Sequence, residues 1–551
     1  MEPRIPSPDG SREALALVRA YHARTMHHFQ RYARGPGALD WETQPNPFRR
    51  YAGAELLALE HTPLEHGPLY REVFGRARVA PAALDRASLA RLFEDSLALA
   101  AWKQYGGSSW ALRINPSSGN LHPTEAHILA PAIPGLGETA LLAHYAPREH
   151  ALEVRARLSS ALWSELALDE GEFVVILSSI HWREAWKYGE RAYRYCQHDV
   201  GHAIAALAIA AAGLGWRTSV LDDLGHEDLL RLARLADPRS AEPEEPDVAL
   251  LVRTRPAGGD VPGALAIPAA FDALVPAGWP NTLSSGHVEW ELVELAAQAA
   301  RKPRTRGVYD AEAPLPEPEP DARLEASELA LRPILRQRRS AQSLDGETGL
   351  ARANFLRLLR STLRFPARVL PWRPRVALLL FVHRVHDLAP GMYLLARDPE
   401  ALDRLRAAST RALSWTRVAD VPDDLALVEL ARGDFRQHAE ALSCHQDIAA
   451  DGAFSLGMLA DFDAALERFG AWFYPRLFWE CGAIGQVLYL EAEALGLRGT
   501  GIGCFFDEAV RQMLGLEASA WQSLYHFTVG GPLQDARLQS WPPYPPRDAR
   551  P

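Results

Sequence analysis

Residues Trp186–Trp216 read WKYGERAYRYCQHDVGHAIAALAIAAAGLGW. Lys187, Tyr188, Arg191, Tyr193, Arg194 and Tyr195 crowd polar and aromatic groups into the first third. From Ala203 to Leu214 nearly every residue is small and apolar, and the run stops at Gly215. A helix of that composition has no face to offer water, so the stretch predicts an element inside a core or a helix–helix seam. Two readings of its head stand side by side: Lys187 and Tyr188 hold or transfer protons, or the run is an aromatic interface with snorkelling cations.

Outward from this stretch, 551 residues leave room for roughly two to four domains, each with its own core. Hydrophobic residues make up 48% of an ordinary globular composition, and a net charge of −10 speaks against nucleic-acid or anionic-membrane binding. The four cysteines, Cys196, Cys444, Cys481 and Cys504, contain no C-x-x-C pair, so reduced thiols in a cytosol are expected. Cys444 and Cys504 have no local nucleophile partner and read as packing residues. The start MEPRIPSPDG carries no signal-peptide pattern, and no run nears the roughly 18 apolar residues of a membrane helix. A soluble cytoplasmic protein is the expectation.

Among 59 basic residues only Lys103, Lys187 and Lys302 are lysines. In so arginine-rich a background, a retained lysine points to a need for an ammonium, which can lose its proton when buried. Lys302, in RKPRTR, is accounted for by solvation; Lys187 is not.

Residues 1–85 read as an irregular, partly helical arm containing Arg49-Arg50, a candidate phosphate clamp or a surface ion pair. Leu84–Lys103 has the apolar spacing of an amphipathic helix. The loop PSSGNLHP (Pro116–Pro123) presents hydroxyls, an amide and an imidazole on non-helical backbone, which suits the rim of a heterocycle. Strands are expected at His127–Ala130, Glu172–Ser178 and Asp247–Arg253, with a helix at Gly225–Ala236, giving a mixed α/β layer. Residues 301–326, dense in Pro, Glu and Asp, read as a linker. Beyond it, helices are expected at Leu331–Ser343, Trp472–Leu495 and Asp507–Leu514, and strands at Arg375–His383, Met392–Leu395, Gly499–Phe505 and Tyr525–Gly530.

A shift of 281 places Gly201 on Gly482, Leu207 on Leu488, Ala211 on Ala492, Leu214 on Leu495, Gly215 on Gly496 and Arg217 on Arg498 (482 − 201 = 281). A period this long is a domain duplication. The expected division is an arm (1–85), a first domain (86–300), a linker (301–326) and a second domain (327–551), two copies of one α+β fold packed as an intramolecular pseudo-dimer.

The residues here resemble a family. PSSGNLHPTE (Pro116–Glu125), WKYGERAYRY (Trp186–Tyr195), DVGHAIAALAIAAAGLGW (Asp199–Trp216), RRS (Arg338–Ser340), GMYLL (Gly391–Leu395) and GLRGTGIGCF (Gly496–Phe505) are similar to motifs of the nitroreductase superfamily. Within it they resemble those of SagB/ThcOx-type flavin dehydrogenases, which oxidise azolines in peptide natural products. The resemblance implies FMN, bound non-covalently where two copies of the fold meet. It places Ser117, Ser118, Asn120 and His122 at the flavin edge, Arg338, Arg339 and Ser340 at the phosphate, and backbone around Gly501 and Gly503 along the ring. It makes Lys187 and Tyr188 the catalytic pair, with Arg49-Arg50 the positional counterpart of RRS, although Tyr51 stands where Ser is expected. No metal is implied.

The second half departs from the pattern. FPARVLPWRP (Phe365–Pro374) stands where PSSGNLHP should recur, and nothing like KYGERAYRY precedes Trp479, which marks a degenerate copy. Dehydrogenation sends a hydride to flavin N5 while a base takes the neighbouring proton. Burial beside Arg191 and Arg194 would suit Lys187 to that task. The expected substrate is a modified peptide or related small molecule, with a peptide-modifying complex as a candidate partner. Two other readings stay open: an NAD(P)H-dependent nitro- or quinone reductase, and a scaffold that binds flavin or peptide without turnover. His198 and His202, four apart, read as core or flavin-proximal hydrogen-bonding groups rather than metal ligands.

Overall fold

The computed structural model describes residues 8–75, 78–235, 240, 242–255, 265–309, 312, 315, 322–517 and 520–545. Its centre is the quoted stretch and its repeat. A helix His181–Tyr188 ends at Gly189, whose φ of 55° turns the chain, and after a 3₁₀ turn Gly189–Arg191 the helix Ala192–Ala212 begins. In the second half the helix Phe462–Phe469, the turn Ala471–Phe473 and the helix Tyr474–Ala494 repeat that order, with Gly470 at a φ of 96°. The head therefore does have a counterpart, contrary to the sequence expectation. The 281 shift sets Arg468 against Lys187 and Phe469 against Tyr188, so the backbone element recurs with Tyr193 (Tyr474 in the second half) but without the lysine–tyrosine pair (468 − 187 = 281).

The two 21-residue helices pack against each other along their small residues. Gly201 and Gly482 meet at the crossing. A Cβ on Gly482 would lie 2.8 Å from the Gly201 Cα and overlap the His198 carbonyl, and one on Gly201 would lie 2.7 Å from the Trp479 Cα. Backbone touches backbone there, which no larger residue allows.

Among the described residues two seven-stranded antiparallel sheets flank this pair. The first runs, in spatial order, Glu55–Ala58, Ala151–Leu158, Ala140–Ala146, Thr124–Ala130, Glu172–Ser179, Glu245–Arg253 and Arg217–Val220. The second runs Thr416–Arg417, Ala426–Arg432, Gly391–Ala396, Val376–Val382, Phe454–Asp461, Trp521–Gly530 and Arg498–Ile502. Position by position these are one sheet used twice, except that the arm supplies the outer strand of the first. The α+β fold with two tandem halves stands as expected.

Two local expectations change. Within Leu84–Lys103 the helix covers only Arg86–Glu94, and Leu99–Tyr105 is a strand. Arg332 takes the carboxylates of Glu94 and Asp95 at 2.8 and 2.7 Å, and the apolar residues beyond pair with Ser108–Arg113 and with the C-terminal strand Gln539–Trp541. Tyr544 fastens this tail to the first half, accepting from the Leu99 amide at 3.1 Å and donating to the Pro147 carbonyl at 2.8 Å. Lys302 is buried instead of solvated, with its ammonium 2.5 Å from Thr305 Oγ1 and burial pushing its pKa down to about 8. Among the described residues no helix is long and apolar enough to cross a membrane.

The helix crossing sets a stability test. Gly482→Ala forces the two backbones apart and is expected to cost about 2 kcal/mol or more, as overpacking does. Gly107→Ala, with nothing near its Cβ, is expected to stay within about 0.5 kcal/mol of the parent. Urea denaturation of both variants measures the difference.

Candidate active site

The loop Pro116–Pro123 enters the central strand of the first sheet, and its own polar groups give it shape. Gly119, Asn120 and His122 have φ of 55°, 61° and 52°, a concentration of left-handed backbone that must be held in place from outside. Asp199, on the central helix, accepts from the Ser118 amide at 3.1 Å and from its hydroxyl at 3.4 Å. Ser117 Oγ accepts from the His122 amide at 2.7 Å, and Asn120 Nδ2 donates to the Ala111 carbonyl at 2.6 Å. Burial drives the His122 pKa well down, so the ring is neutral; Nε2 lies 3.1 Å from the Ala111 carbonyl and Nδ1 has no partner. Pro116–Asn120 still reaches solvent.

Lys187 and Tyr188 converge on this loop. A Cβ on Gly119 would lie 2.6 Å from the Tyr188 hydroxyl and 3.1 Å from Lys187 Nζ. Both side chains are half-buried, and the Tyr188 ring lies 4.4 Å from that of Tyr195. Burial holds the Tyr188 phenol pKa well above its ordinary value, so the hydroxyl keeps its hydrogen. One turn before Lys187 sits Glu184, fully buried, both carboxyl oxygens without a partner. Burial, then the nearness of Asp199, raise its pKa, while Lys187 opposes the rise. Burial raises Asp199 likewise, against the hydrogen bonds of Ser117 and Ser118. Sequence reading did not single out Glu184 and Asp199, although an acid beside a wholly apolar helical run was the available signal.

Arg191 and Arg194 serve differently from expectation. Asp507 of the second half takes them at 3.1 and 2.5 Å, and Arg191 also donates to the Gly503 carbonyl at 3.2 Å. They tie the halves together, and their charge is engaged there.

The second half brings its own residues to the same place. Arg338 is 3% exposed and donates from Nη2 to the Arg113 carbonyl at 3.1 Å, just before the loop. Its Nε and Nη1 are buried without partners, and burial lowers its pKa. Arg339 Nη2 donates to the Ala100 carbonyl at 2.7 Å, and burial followed by repulsion from Arg338 and Arg498 brings its pKa down to about 9. The hydroxyls of Ser340 and Tyr489 lie 2.8 Å apart, and the Gly501 amide donates to the same Tyr489 oxygen at 2.8 Å. Gly503 lies against Tyr195: a Cβ there would be 2.9 Å from Cδ1.

Arg49 and Arg50 lie elsewhere. Arg49 Nη2 donates to the Glu242 carbonyl at 2.8 Å, and Arg50 pairs with Glu153 at 2.6 Å and Glu149 at 2.7 Å. These contacts gather near the start of strand Glu245–Arg253, whereas Ser340 bridges Gly499, near the end of the corresponding strand of the second sheet. His198 Nε2 is 2.9 Å from the Leu524 carbonyl and His202 Nε2 3.2 Å from the Tyr525 hydroxyl, both in the seam.

The pseudo-equivalent site in the second half is closed. Glu480, which the shift sets on Asp199, accepts from the Arg375 and Val376 amides at 3.1 and 3.2 Å, from Trp372 Nε1 at 3.3 Å and from Arg397. Tyr309 of the linker packs between Trp372 and Phe469, ring centroids 5.9 and 5.5 Å away, and Glu312 pairs with Arg468 at 3.0 Å.

The nitroreductase family model matches residues 80–241 and 335–531, and the chain belongs to that family. Arg49 and Arg50 fall outside the matched segments. A protein from Anabaena variabilis described as a nitroreductase is similar over 94% of this chain and 99% of its own, at 22% identity and a TM-score of 0.66. A Ralstonia eutropha protein described in the same way covers 39% of this chain with 95% of its own, at 16% identity and a TM-score of 0.28. The E. coli microcin synthetase McbBCD complex with truncated pro-MccB17 contains a chain covering 46% of this one with 94% of its own, at 19% identity and a TM-score of 0.27. No curated protein matches.

The loop is braced by a buried ionic chain with a pH signature. Arg183 donates to the His122 carbonyl at 2.7 Å and pairs with Glu125 at 2.5 Å; His144 lies between Glu125 and Glu153 at 3.1 and 2.9 Å. Burial opposes charging His144, but the hydrogen bonds of the two carboxylates outweigh it and raise its pKa to about 9. A raised folded-state pKa gives stability that is complete below the unfolded value near 6.5 and lost as pH rises towards 9. Denaturation midpoints should therefore fall over that interval in the parent and stay flatter in His144→Gln.

Proposed function

We propose that this nitroreductase-family oxidoreductase is an FMN-dependent dehydrogenase acting on a modified peptide or related small molecule, azoline to azole, with one flavin site at the seam of its halves. The observation that carries the proposal is the convergence of the Lys187 ammonium and the Tyr188 hydroxyl on the strained, solvent-reaching loop at Gly119.

The residues fit such a group. The two unpartnered nitrogens of Arg338, with Arg339 and Ser340 beside it, suit a phosphate. Ser117, Ser118, Asn120 and His122 shape the loop that would face the ring edge, and the backbone of Gly501 and Gly503 would line the other side. Arg49 and Arg50 have no part in this proposal, because carboxylates and carbonyls already engage them. Bound FMN would supply a hydride acceptor. Lys187, as the free amine, takes the proton released from the neighbouring substrate atom and becomes the ammonium, and Tyr188 orients that atom by donating a hydrogen bond. Glu184, one turn before Lys187 and raised in pKa by burial, lies near enough for Lys187 to oppose that rise, while Asp199 holds the loop the lysine faces. The closed second site, where Arg468 and Phe469 replace the pair, supports a single site per chain.

Membership in the nitroreductase family favours a second reading, reduction of nitro compounds or quinones by NAD(P)H. Purified protein reconstituted with FMN separates the two. Arg338→Ala is expected to bind FMN at least about 10-fold more weakly, through loss of a charge-assisted contact. Lys187→Ala should retain flavin and lose about 100-fold or more in anaerobic flavin bleaching by an azoline peptide. Bleaching by NADPH alone that is indifferent to Lys187 would establish the reductase instead. Protein that takes up no FMN would leave a scaffold.

A further inference from the structure

Cys444 and Cys504 do not behave as packing residues. Both are half-buried, and their sulfurs lie 2.6 Å apart although 60 positions separate them. Cys504 follows Gly503 in the turn beside Tyr195, whereas Cys444 lies just beyond the helix Arg436–Leu442. Cys444 and His445 are consecutive non-glycine residues in left-handed backbone, φ 54° and 57°, a conformation that the surroundings must impose. Gln446 imposes it, donating from Nε2 to the Ser443 carbonyl at 2.7 Å and to the Cys504 carbonyl at 3.1 Å. The strain holds one thiol against the other.

The charge around the pair is asymmetric. The Ala33 amide donates to His27 Nδ1 at 2.8 Å, so that ring carries its hydrogen on Nε2, and the imidazole lies beside Cys504. Arg191 and Tyr32 lie near both sulfurs, and Asp507 attends Cys444. The contact with Cys444 and then the His27 hydrogen bond lower the Cys504 pKa, while the same contact and burial raise that of Cys444. With His27 beside Cys504 and not Cys444, Cys504 is the sulfur placed to attack, and its neighbour to follow. Phe29 and Tyr32, each 51% exposed, leave the approach open. Cys196 and Cys481 are fully buried.

We propose that Cys444 and Cys504 are a redox-active dithiol that closes to a disulfide at the expense of a small-molecule disulfide. Cys504 sulfur attacks the reagent's S–S bond, forming a mixed disulfide and releasing one thiolate. Cys444 sulfur then attacks the Cys504 sulfur, and a second thiolate leaves. The two cysteines lose two electrons and two protons, and the reagent disulfide becomes two thiols.

Reaction of the native chain with a slight excess of dithiodipyridine in mildly acidic buffer tests this. Two equivalents of thiopyridone should be released per chain, the intact mass should fall by two hydrogens with no adduct, and a non-reducing peptide map should join Cys444 to Cys504. Cys444→Ser should release one equivalent and keep the pyridyl adduct on Cys504. Cys504→Ser should react at least about 10-fold more slowly. A native chain that keeps a stable adduct or does not react, or single variants that react at equal rates, would overturn the proposal.

Discussion

Backbone contact between Gly201 and Gly482 is the constraint on which the rest depends. It brings the two central helices so close that whatever projects from their sides must be small or must reach past the crossing. Two residues before each glycine stands a buried acid, Asp199 in one helix and Glu480 in the other. Each grips the loop that leads into the central strand of its own sheet. The crossing thus fixes the helices, the acids fix the loops, and the loops fix where polar groups face the seam.

From that common frame the halves diverge in chemistry. In the first, the acid holds a strained loop open to water and a lysine–tyrosine pair faces it. In the second, an arginine neutralises the acid, a tryptophan seals the loop, and linker residues cover the head of the helix. The open site is also shared. The second half sends in Arg338, Ser340 and the glycine turn, and Asp507 anchors the arginines that follow Lys187. Neither half alone carries the whole arrangement.

Much of this was legible in sequence, because the decisive features are local. The run of small apolar residues from Ala203 to Leu214 can only be a buried helix, and its repetition 281 positions on announces the duplication. The motifs around Ser117, Lys187 and Arg338 likewise lie together, as their types suggested. What stayed hidden depends on distant partners. The apolar spacing of Leu84–Lys103 continues through Asp95, but Arg332, more than two hundred residues away, ends the helix there. Arg49-Arg50 looks like a clamp until the carboxylates of Glu149 and Glu153 are seen beside it. The repeat of the helix head was masked because little beyond Gly189 and Tyr193, as Gly470 and Tyr474, is retained. Cys444 and Cys504 are too far apart in sequence to suggest a pair.

The linker gives the duplication a further meaning. In a symmetric dimer every substitution is written twice, so a change that closes one site closes both. Once two copies share a chain, each can change on its own. Tyr309, seated against Trp372 and Phe469, has no need of a twin in the open site. The covalent join frees each copy to change without its twin, so one can serve as a fixed wall beside the other.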